Sequence, residues 1–300
     1  MSQNAKLQNT LQTTKPKNSF NVTLYLLIIP VLLWLVLLIV LPHLDLLVSS
    51  FEIENDDGEM VFSLANYIAF FKEEIYWLTF VKTAAYAIGV TALAFIITFP
   101  VAFYLTKVIS KKNAAFFILL LLIPLWVGEL VTVYGWMVLL GDHGIINHFL
   151  MAIGIVDEPI NMLYTDFSMI IGLLYMSMLF MVVPVMSTLE SLDDSLIEAA
   201  SDLGASKWTI FRTIIIPYSM PGIVSGAIIV FMLVIGDYLA PNILGGKSSL
   251  WFTEQIYNKF LTTFNWNEGA AFGFLLLMLS SGIIWLALKF SGQKLDRVGS

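Results

Sequence analysis

The sequence contains no cysteine, and charged residues occupy only 12% of its 300 positions. The absence of cysteine excludes a disulfide framework and any thiol chemistry. Soluble domains carry about 25% charged residues, so this chain has too little charge to cover the surface of a soluble protein of its length. Hydrophobic residues make up 58% of the chain, and its mean hydropathy is +0.85. The composition therefore predicts a protein that crosses a membrane several times.

The chain also lacks recognisable catalytic and nucleotide-binding motifs. Neither HExxH nor GxSxG occurs, so there is no signature of a zinc protease or a serine hydrolase. The segment GGKSS at 245–249 resembles the end of a phosphate-binding loop, but Pro241 stands where that motif needs an earlier glycine. The three histidines, His43, His143 and His148, are scattered along the chain. We therefore predict no catalytic residue, metal site or cofactor in the chain itself.

Apolar runs long enough to cross a bilayer, which takes about 20 residues, recur six times. The predicted spans are residues 24–42, 83–106, 114–140, 168–189, 218–240 and 269–290. No signal-peptide cleavage pattern follows the first run, so we expect it to be retained as a span. The prediction is an all-α membrane protein with six transmembrane helices. The predicted domains are an N-terminal tail (1–23), a transmembrane domain (24–290) and a C-terminal tail (291–300).

The distribution of Lys and Arg orients these spans, because cytoplasmic loops carry an excess of both. Eleven of the 15 Lys and Arg residues fall in the two tails and in the connections that follow the second and fourth spans. Both termini are therefore predicted to be cytoplasmic. Acidic segments such as EIENDDGE at 52–59 are predicted to be external. The helix-like stretch 64–78 is predicted either to lie along the membrane interface or to pack as a short external helix.

Residues 190–217, between the fourth and fifth spans, are polar at their start and are predicted to lie on the cytoplasmic side. A first helix is predicted over 195–203, with Asp193, Asp194 or Ser195 in position to cap it. Acidic residues at this end also suit the positive end of the helix dipole. The segment therefore begins as a short capped helix, although an ordinary interfacial loop is the alternative.

A second helix is predicted after a sharp turn. Gly204 is able to adopt the left-handed conformation that ends a helix, and Ser206 is placed to cap the next one. That helix is predicted to run toward the fifth span until Pro217 interrupts it. An apolar stripe follows the first helix at helical spacing, with Glu198 and Asp202 off it. The stripe consists of Leu196, Ala199, Ala200 and Leu203. An amphipathic elbow of this kind is suited to docking in a groove of a partner.

The elbow also carries a recognisable spacing: EAA, three residues, Gly, nine residues, Ile, one residue, an aliphatic residue and Pro. The matching residues are Glu198, Ala199, Ala200, Gly204, Ile214, Ile216 and Pro217. This pattern resembles the cytoplasmic signature of permease subunits of ATP-binding-cassette (ABC) importers, with Ile216 where leucine is usual. The resemblance implies a type I importer permease fold in the bacterial cytoplasmic (inner) membrane. It also implies that the first elbow helix is a coupling helix seated in an ATPase subunit. The expected coupling residues are Glu198, Ala199, Ala200, Asp202, Leu203, Gly204 and Pro217.

Two carboxylates fall inside predicted spans, Glu129 in the third and Asp237 at the outer end of the fifth. Intramembrane carboxylates usually face a cavity or a partner, and aromatic rings add cation–π attraction of about 0.5–2 kcal/mol for an organic cation. The neighbouring aromatic residues are Trp126, Tyr134, Trp136 and Tyr238. These six residues are the candidate substrate path. The alternatives are interfacial water around Asp237, a neutral or hydrogen-bonded Glu129, and aromatic residues that only pack.

Further stretches resemble the permeases of spermidine/putrescine importers. They are IPLW (123–126), MIIGLLY (169–175), LIEAASDLGASKWTIF (196–211), PGIVSG (221–226), GDYLAPNILGG (236–246) and NWNEGAAFGF (265–274). The resemblance implies uptake of polyamines. It also implies three partners, namely a second homologous permease, an ATPase dimer that binds ATP and Mg²⁺, and an external binding protein. Nucleic acid is not expected as a partner. Thr132 departs from the pattern, because many relatives have arginine there. The loss of that cation leaves Glu129 less neutralised, which either favours a cationic substrate or marks a different specificity. The alternatives are an ABC permease for another small organic solute, such as an opine or an amino-acid derivative, and an ion-coupled secondary transporter that uses Glu129 as a proton site.

Gly222 and Gly226 lie four residues apart in the predicted fifth span. Small residues at this spacing let two membrane helices approach closely. This face is therefore predicted to pack on a second permease or on another helix of the same chain.

Overall fold

The structure, a computed structural model, describes residues 22–55, 57–246 and 249–291. Most of the two predicted tails lies outside these residues, and so do Lys6, Lys15, Lys17, Lys294 and Arg297, which support the predicted orientation. The orientation of the termini therefore stays a prediction. The described chain divides into two units, residues up to Val48 and residues from Ser49 onward.

The secondary structure is almost entirely helical in the described residues. The α-helices are α1 (Val22–Leu35), α2 (Leu41–Ser50), α3 (Ala65–Lys72), α4 (Glu74–Phe103), α5 (Lys111–Leu122), α6 (Glu129–Leu140), α7 (Ile145–Ala152), α8 (Asp166–Glu190), α9 (Asp194–Asp202), α10 (Lys207–Ile210), α11 (Ile216–Gly236), α12 (Phe252–Leu261) and α13 (Trp266–Ser291). Wider π-helical turns lie at Val36–Val40, Tyr104–Val108, Phe211–Ile215 and Pro241–Gly245, and a 3₁₀ turn lies at Ile123–Trp126. Strands β1 (Glu52–Glu54) and β2 (Met60–Phe62) form an antiparallel hairpin in which Ile53 lies opposite Val61.

Five helical segments are long and apolar enough to cross a membrane within the described residues. They are Leu26–Ser50, Glu74–Val108, Asp166–Glu190, Lys207–Gly236 and Trp266–Ser291. A sixth span is formed only if two bent segments, Lys112–Trp126 and Glu129–Ala152, are counted together. These five or six helices agree with the predicted all-α membrane fold.

The prediction of one continuous third span over 114–140 is wrong. The axes of its two halves differ by 97°. The break follows Pro124, which lacks a backbone donor, and the chain is extended at Val127 before α6 begins at Glu129. Hydropathy does not detect such a break, because the residues on both sides of it remain apolar.

The second span begins earlier than predicted, at Glu74 rather than residue 83. The helix-like stretch 64–78 is divided at Glu73, so that α3 precedes the span as a separate short helix. Phe70 of α3 is buried, and its ring makes edge contacts with Phe252 and Phe272. Of the two alternatives for this stretch, the structure therefore favours a packed helix.

The core of the larger unit lies between α4, α8 and α11. Apolar residues from the three helices, most of them small or branched, are fully buried there: Ala87, Val90, Ala94, Met181, Val185, Val230 and Val234. Two glycines of α11, Gly222 and Gly226, belong to this packing. A Cβ atom on Gly222 would collide with the Pro184 carbonyl oxygen and the Thr188 hydroxyl of α8, and one on Gly226 would lie 2.7 Å from the Met181 sulfur. The small-residue face of the fifth span is therefore used within the chain, against the fourth span.

We expect Gly222→Ala to lower the free energy of unfolding by about 1–3 kcal/mol, because the added methyl group overpacks the α8–α11 contact. The measurement is the thermal unfolding midpoint of the purified chain in detergent. Gly282→Ala in α13 is the matched control, since a Cβ atom there has no neighbour within 4 Å. Equal midpoints for the two variants would contradict the close helix contact.

Candidate functional site

The first elbow helix is capped by Asp193, one of the three residues proposed for that role. The Ser195 N–H donates to Asp193 Oδ1 at 3.0 Å, and α9 begins at Asp194. Hydrogen bonds from the Ser195 backbone and side chain lower the pKa of the Asp193 carboxyl. The cap satisfies one of the free N–H groups at the start of a helix, so the start of α9 is fixed locally by sequence.

The turn of the elbow is also built as predicted. Gly204 has a φ of +80°, which is the left-handed conformation. Its N–H donates to the Ser201 carbonyl at 2.9 Å, and the Ala205 N–H donates to the Ala200 carbonyl at 3.0 Å. This pair of bonds is the Schellman motif that ends helices at glycine. Ser206 then accepts from the Thr209 N–H at 3.1 Å and caps α10.

The prediction that Pro217 interrupts the second elbow helix is wrong. The wide turn Phe211–Ile215 joins α10 directly to α11, and the apolar span runs unbroken over Lys207–Gly236. Pro217 lies in the first turn of α11. Proline is tolerated there because it closely follows the wide turn Phe211–Ile215, and such local adjustments satisfy the backbone groups that a proline leaves free in a membrane helix. The second arm of the elbow is therefore the start of the fifth span.

The residues of the apolar stripe on α9 face two directions, some toward the core and some outward. Ala200 is half-buried and packs against the core beside Ile197. Leu196 is 49% exposed and Leu203 is 89% exposed. The outward side, which we name the elbow face, consists of Leu196, Glu198, Ala199, Asp202 and Leu203, all of them exposed. An exposed apolar patch flanked by carboxylates is typical of a protein-binding surface.

A cavity of about 600 Å³ lies where the break in the third span meets α8 and the end of α11. This volume is within the range of small-molecule sites, about 300–1,000 Å³. Its lining residues are Pro124, Leu125, Val127, Glu129, Thr132, Leu173, Tyr175, Met176, Ser177, Leu179, Phe180, Met232, Leu233, Val234, Gly236, Asp237, Tyr238 and Leu239. None of these side chains carries a positive charge.

Three of the six residues predicted for the substrate path line this cavity: Glu129, Asp237 and Tyr238. Both carboxylates lie at helix ends, Glu129 in the first turn of α6 and Asp237 directly after α11. The Asp237 carboxylate accepts a hydrogen bond from the Ala240 N–H at 3.0 Å, and the Tyr238 ring stacks on Tyr257 at 4.2 Å.

The other three predicted path residues do not line the cavity. Trp126 is 92% exposed, and Tyr134 is 49% exposed. Trp136 reaches the cavity only indirectly, because its ring makes an edge contact at 5.3 Å with Tyr175, which does line it. These aromatic residues are close to Glu129 in sequence but not in the structure. Trp126 lies in the 3₁₀ turn before α6. Tyr134 lies on another side of α6 from Glu129, and Trp136 lies about two turns farther along the helix.

Sequence analysis missed two polar lining residues of α8, Tyr175 and Ser177. The signal available was a tyrosine and a serine inside an otherwise apolar run. The Ser177 hydroxyl donates to the Leu173 carbonyl at 2.7 Å, so its polarity is satisfied within the helix. Within the described residues, no group of three His, Asp or Glu side chains is placed to hold a metal ion.

Apolar helices with a cavity between them and an exposed elbow are features expected of a membrane permease. Comparison with known proteins identifies the family. Residues 114–290 match the profile described as "Binding-protein-dependent transport system inner membrane component". The chain belongs to this family, and it is an inner-membrane permease of the ABC importer class rather than an enzyme.

Several relatives match along nearly the whole chain. "Spermidine/putrescine transport system permease protein PotB" of Salmonella typhimurium (strain SL1344) is 34% identical over 276 residues, covering 90% of this chain and 96% of the relative. The protein of the same name from Escherichia coli (strain K12) is 33% identical over 275 residues, covering 90% and 99%. "Inner membrane ABC transporter permease protein YdcU" of Escherichia coli (strain K12) is 30% identical over 272 residues, covering 85% and 86%.

The fold is also found in solved structures. A bacterial ABC transporter involved in the import of the acidic polysaccharide alginate contains a chain with a TM-score of 0.73 and 17% identity, covering 93% of this chain and 96% of that one. The bacterial alginate ABC transporter in complex with its alginate pentasaccharide-bound periplasmic protein gives a TM-score of 0.70. These matches confirm the importer permease fold that the elbow motif predicted.

Proposed function

We propose that this permease carries polyamines, such as spermidine and putrescine, across the inner membrane. The observation that carries the proposal is the cavity, in which Glu129 and Asp237 face one volume that no cationic side chain lines. A polyamine brings several ammonium groups and offsets that negative charge. The names of the PotB relatives support the same solute class.

Thr132 bears on the charge of the solute, because this departure either favours a cationic solute or marks a different specificity. It lines the cavity one helical turn after Glu129, at the position where the resemblance leads one to expect arginine. Its hydroxyl donates to the Gly128 carbonyl at 3.3 Å. Because threonine carries no charge, Glu129 keeps its negative charge available to a solute instead of to a neighbouring guanidinium.

Energy for uptake is supplied, in this proposal, by a partner ATPase that binds ATP and Mg²⁺ and docks on the elbow face. The exposed Leu203 and Leu196 fit an apolar groove, and Glu198 and Asp202 flank them. A second homologous permease, an ATPase dimer and an external binding protein complete the complex. The elbow then lies in the cytoplasm together with both termini.

The test is uptake of radiolabelled spermidine and putrescine into proteoliposomes that hold the full complex, with its binding protein outside and ATP inside. We expect uptake that requires both ATP and the binding protein and that stops when a non-hydrolysable ATP analogue replaces ATP. An assembled complex that hydrolyses ATP without taking up either amine would overturn the polyamine assignment. Uptake by the chain without ATP would instead indicate an ion-coupled carrier.

A further inference from the structure

A lysine at the elbow end of α4 holds the first elbow helix in place. Lys107 lies in the wide turn Tyr104–Val108, which continues α4. Its Nζ lies 2.7 Å from Asp194 Oδ1 and also donates to the Leu192 carbonyl. The two contacts fall on the residues either side of the helix cap Asp193. The lysine therefore holds the beginning of α9 from a helix that is distant in sequence.

The burial of this lysine makes the contact specific. The Lys107 side chain is 7% exposed, whereas that of Asp194 is 73% exposed. A buried ammonium group that loses its partners is strongly disfavoured, so the lysine is stable in this position only while both acceptors stay in place. An exposed pair would contribute little. Here the buried member makes the position of α9 depend on that of α4.

The second arm of the elbow contacts α4 as well. The Phe211 ring packs edge-on against Phe99 of α4 at 5.7 Å, and Trp208 stacks on Phe211 at 5.6 Å. The elbow is therefore attached to α4 on both sides of Gly204, by an ion pair on one arm and by aromatic packing on the other. The aromatic contact tolerates sliding, whereas the charged contact has defined donors and acceptors.

We propose that Lys107 is a positioning residue that makes α9 and α4 move as one rigid unit. A displacement of the elbow face then reaches two spans, α11 through the continuous chain and α4 through the Lys107–Asp194 pair. α4 packs along α8, which supplies part of the cavity lining. This proposal rests on the proposed docking of an ATPase at the elbow, and it assigns to a residue outside the elbow a role in coupling.

The first test measures the number of ATP molecules hydrolysed per spermidine taken up by the full complex in proteoliposomes, and compares this ratio between variants of the chain. We expect Lys107→Met to assemble and to hydrolyse ATP while this ratio rises at least about fivefold, the lower range of coupling effects between sites. Lys107→Arg keeps a cation and is expected to restore the ratio. Lys112→Met is the matched control, since Lys112 is exposed and makes no ion pair within the described residues. An unchanged ratio in Lys107→Met would overturn the proposal.

If the role of Lys107 is purely structural, Lys107→Met lowers the amount of assembled complex, but the assembled complex hydrolyses the usual amount of ATP per spermidine. That result would also contradict the proposal. If Lys107→Met does not assemble, Asp194→Asn removes the charge from the exposed partner and is measured in the same way. A ratio equal to that of the unaltered chain in Asp194→Asn overturns the proposal.

A second test does not depend on the identity of the solute. Because the chain has no cysteine, Ser201→Cys on α9 and Val101→Cys on α4 place two spin labels without further changes. With Lys107 present, we expect one narrow distribution of the distance between the two labels, the same without nucleotide and with trapped ATP. With Lys107→Met added, we expect this distribution to broaden or shift when nucleotide binds. Superposable distributions with and without Lys107→Met would overturn the rigid unit. Failure of spermidine uptake alone would count only against the proposed solute.

Discussion

Gly204→Pro is expected to reduce ATP-driven uptake to background and to release the ATPase from the permease. The substitution conflicts with the elbow in two ways. Proline fixes φ near −65°, whereas Gly204 has a φ of +80°, and proline removes the N–H that donates to the Ser201 carbonyl. Together the two conflicts are expected to destabilise the folded elbow by at least about 3 kcal/mol. This is enough to unwind the turn between α9 and α10, which has solvent on one side. Co-purification of the ATPase and uptake of labelled spermidine are the two measurements.

The chain supplies a matched control for this substitution. Gly154 also follows a helix, α7, with a φ of +71°, and its N–H donates to the Met151 carbonyl at 3.1 Å. A Cβ atom at either glycine has no neighbour within 4 Å, so the two positions have equal space around the added Cβ. Gly154→Pro is therefore expected to destabilise its own turn by a similar free energy, through the same change of φ and the loss of one backbone hydrogen bond, but to retain ATPase binding and uptake. If both variants lose the ATPase equally, or if Gly204→Pro keeps it, the elbow does not dock the ATPase as proposed.

Asp237→Asn and Glu129→Gln are each expected to lower the rate of spermidine uptake about tenfold or more, while assembly and ATP hydrolysis persist. Each substitution keeps the size of the side chain and removes its charge. A hydrogen bond to a charged group contributes about 1.5–3 kcal/mol, which corresponds to at least about a tenfold change in rate. The measurement is the initial uptake rate at saturating, substrate-loaded binding protein, so that capture outside the membrane does not limit the rate.

The control for these two variants is Asp142→Asn. Asp142 is exposed beyond the end of α6 and does not line the cavity. We expect it to leave uptake unchanged, which separates a local effect in the cavity from a general effect of charge. A double substitution of Glu129 and Asp237 measures whether the two carboxylates act on the same solute, because residues that share a partner are not additive. Unchanged uptake in both single variants would remove the cavity from the substrate path.

The elbow could be predicted in detail because its determinants are local. A cap residue, a glycine and a second cap residue fix two short helices and the turn between them, whatever surrounds them. Pro217 was misread because the cost of a proline depends on whether its position in the helix needs an N–H donor. The wide turn Phe211–Ile215 just before Pro217 removes that need.

Features that depend on distant contacts were not accessible to sequence reasoning. The 97° break in the third span leaves hydropathy unchanged. Glu129 and Asp237 were recognised separately, but their shared cavity follows from the packing of α6, α8 and α11. Lys107 was counted only for its charge, because its partner Asp194 lies 87 residues away.

The unbroken course of the fifth span through Pro217 has a mechanical consequence. The segment Lys207–Gly236 is a single rod of 30 residues, and Asp237 follows its last residue. At about 1.5 Å per residue the rod is about 45 Å long, so tilting it by about 5° at the elbow moves its far end by about 4 Å. That distance exceeds the length of a hydrogen bond between an ammonium group and a carboxylate. In the proposed transport cycle, a small tilt at the elbow end of this helix is therefore enough to release a cation from the carboxylate at its far end.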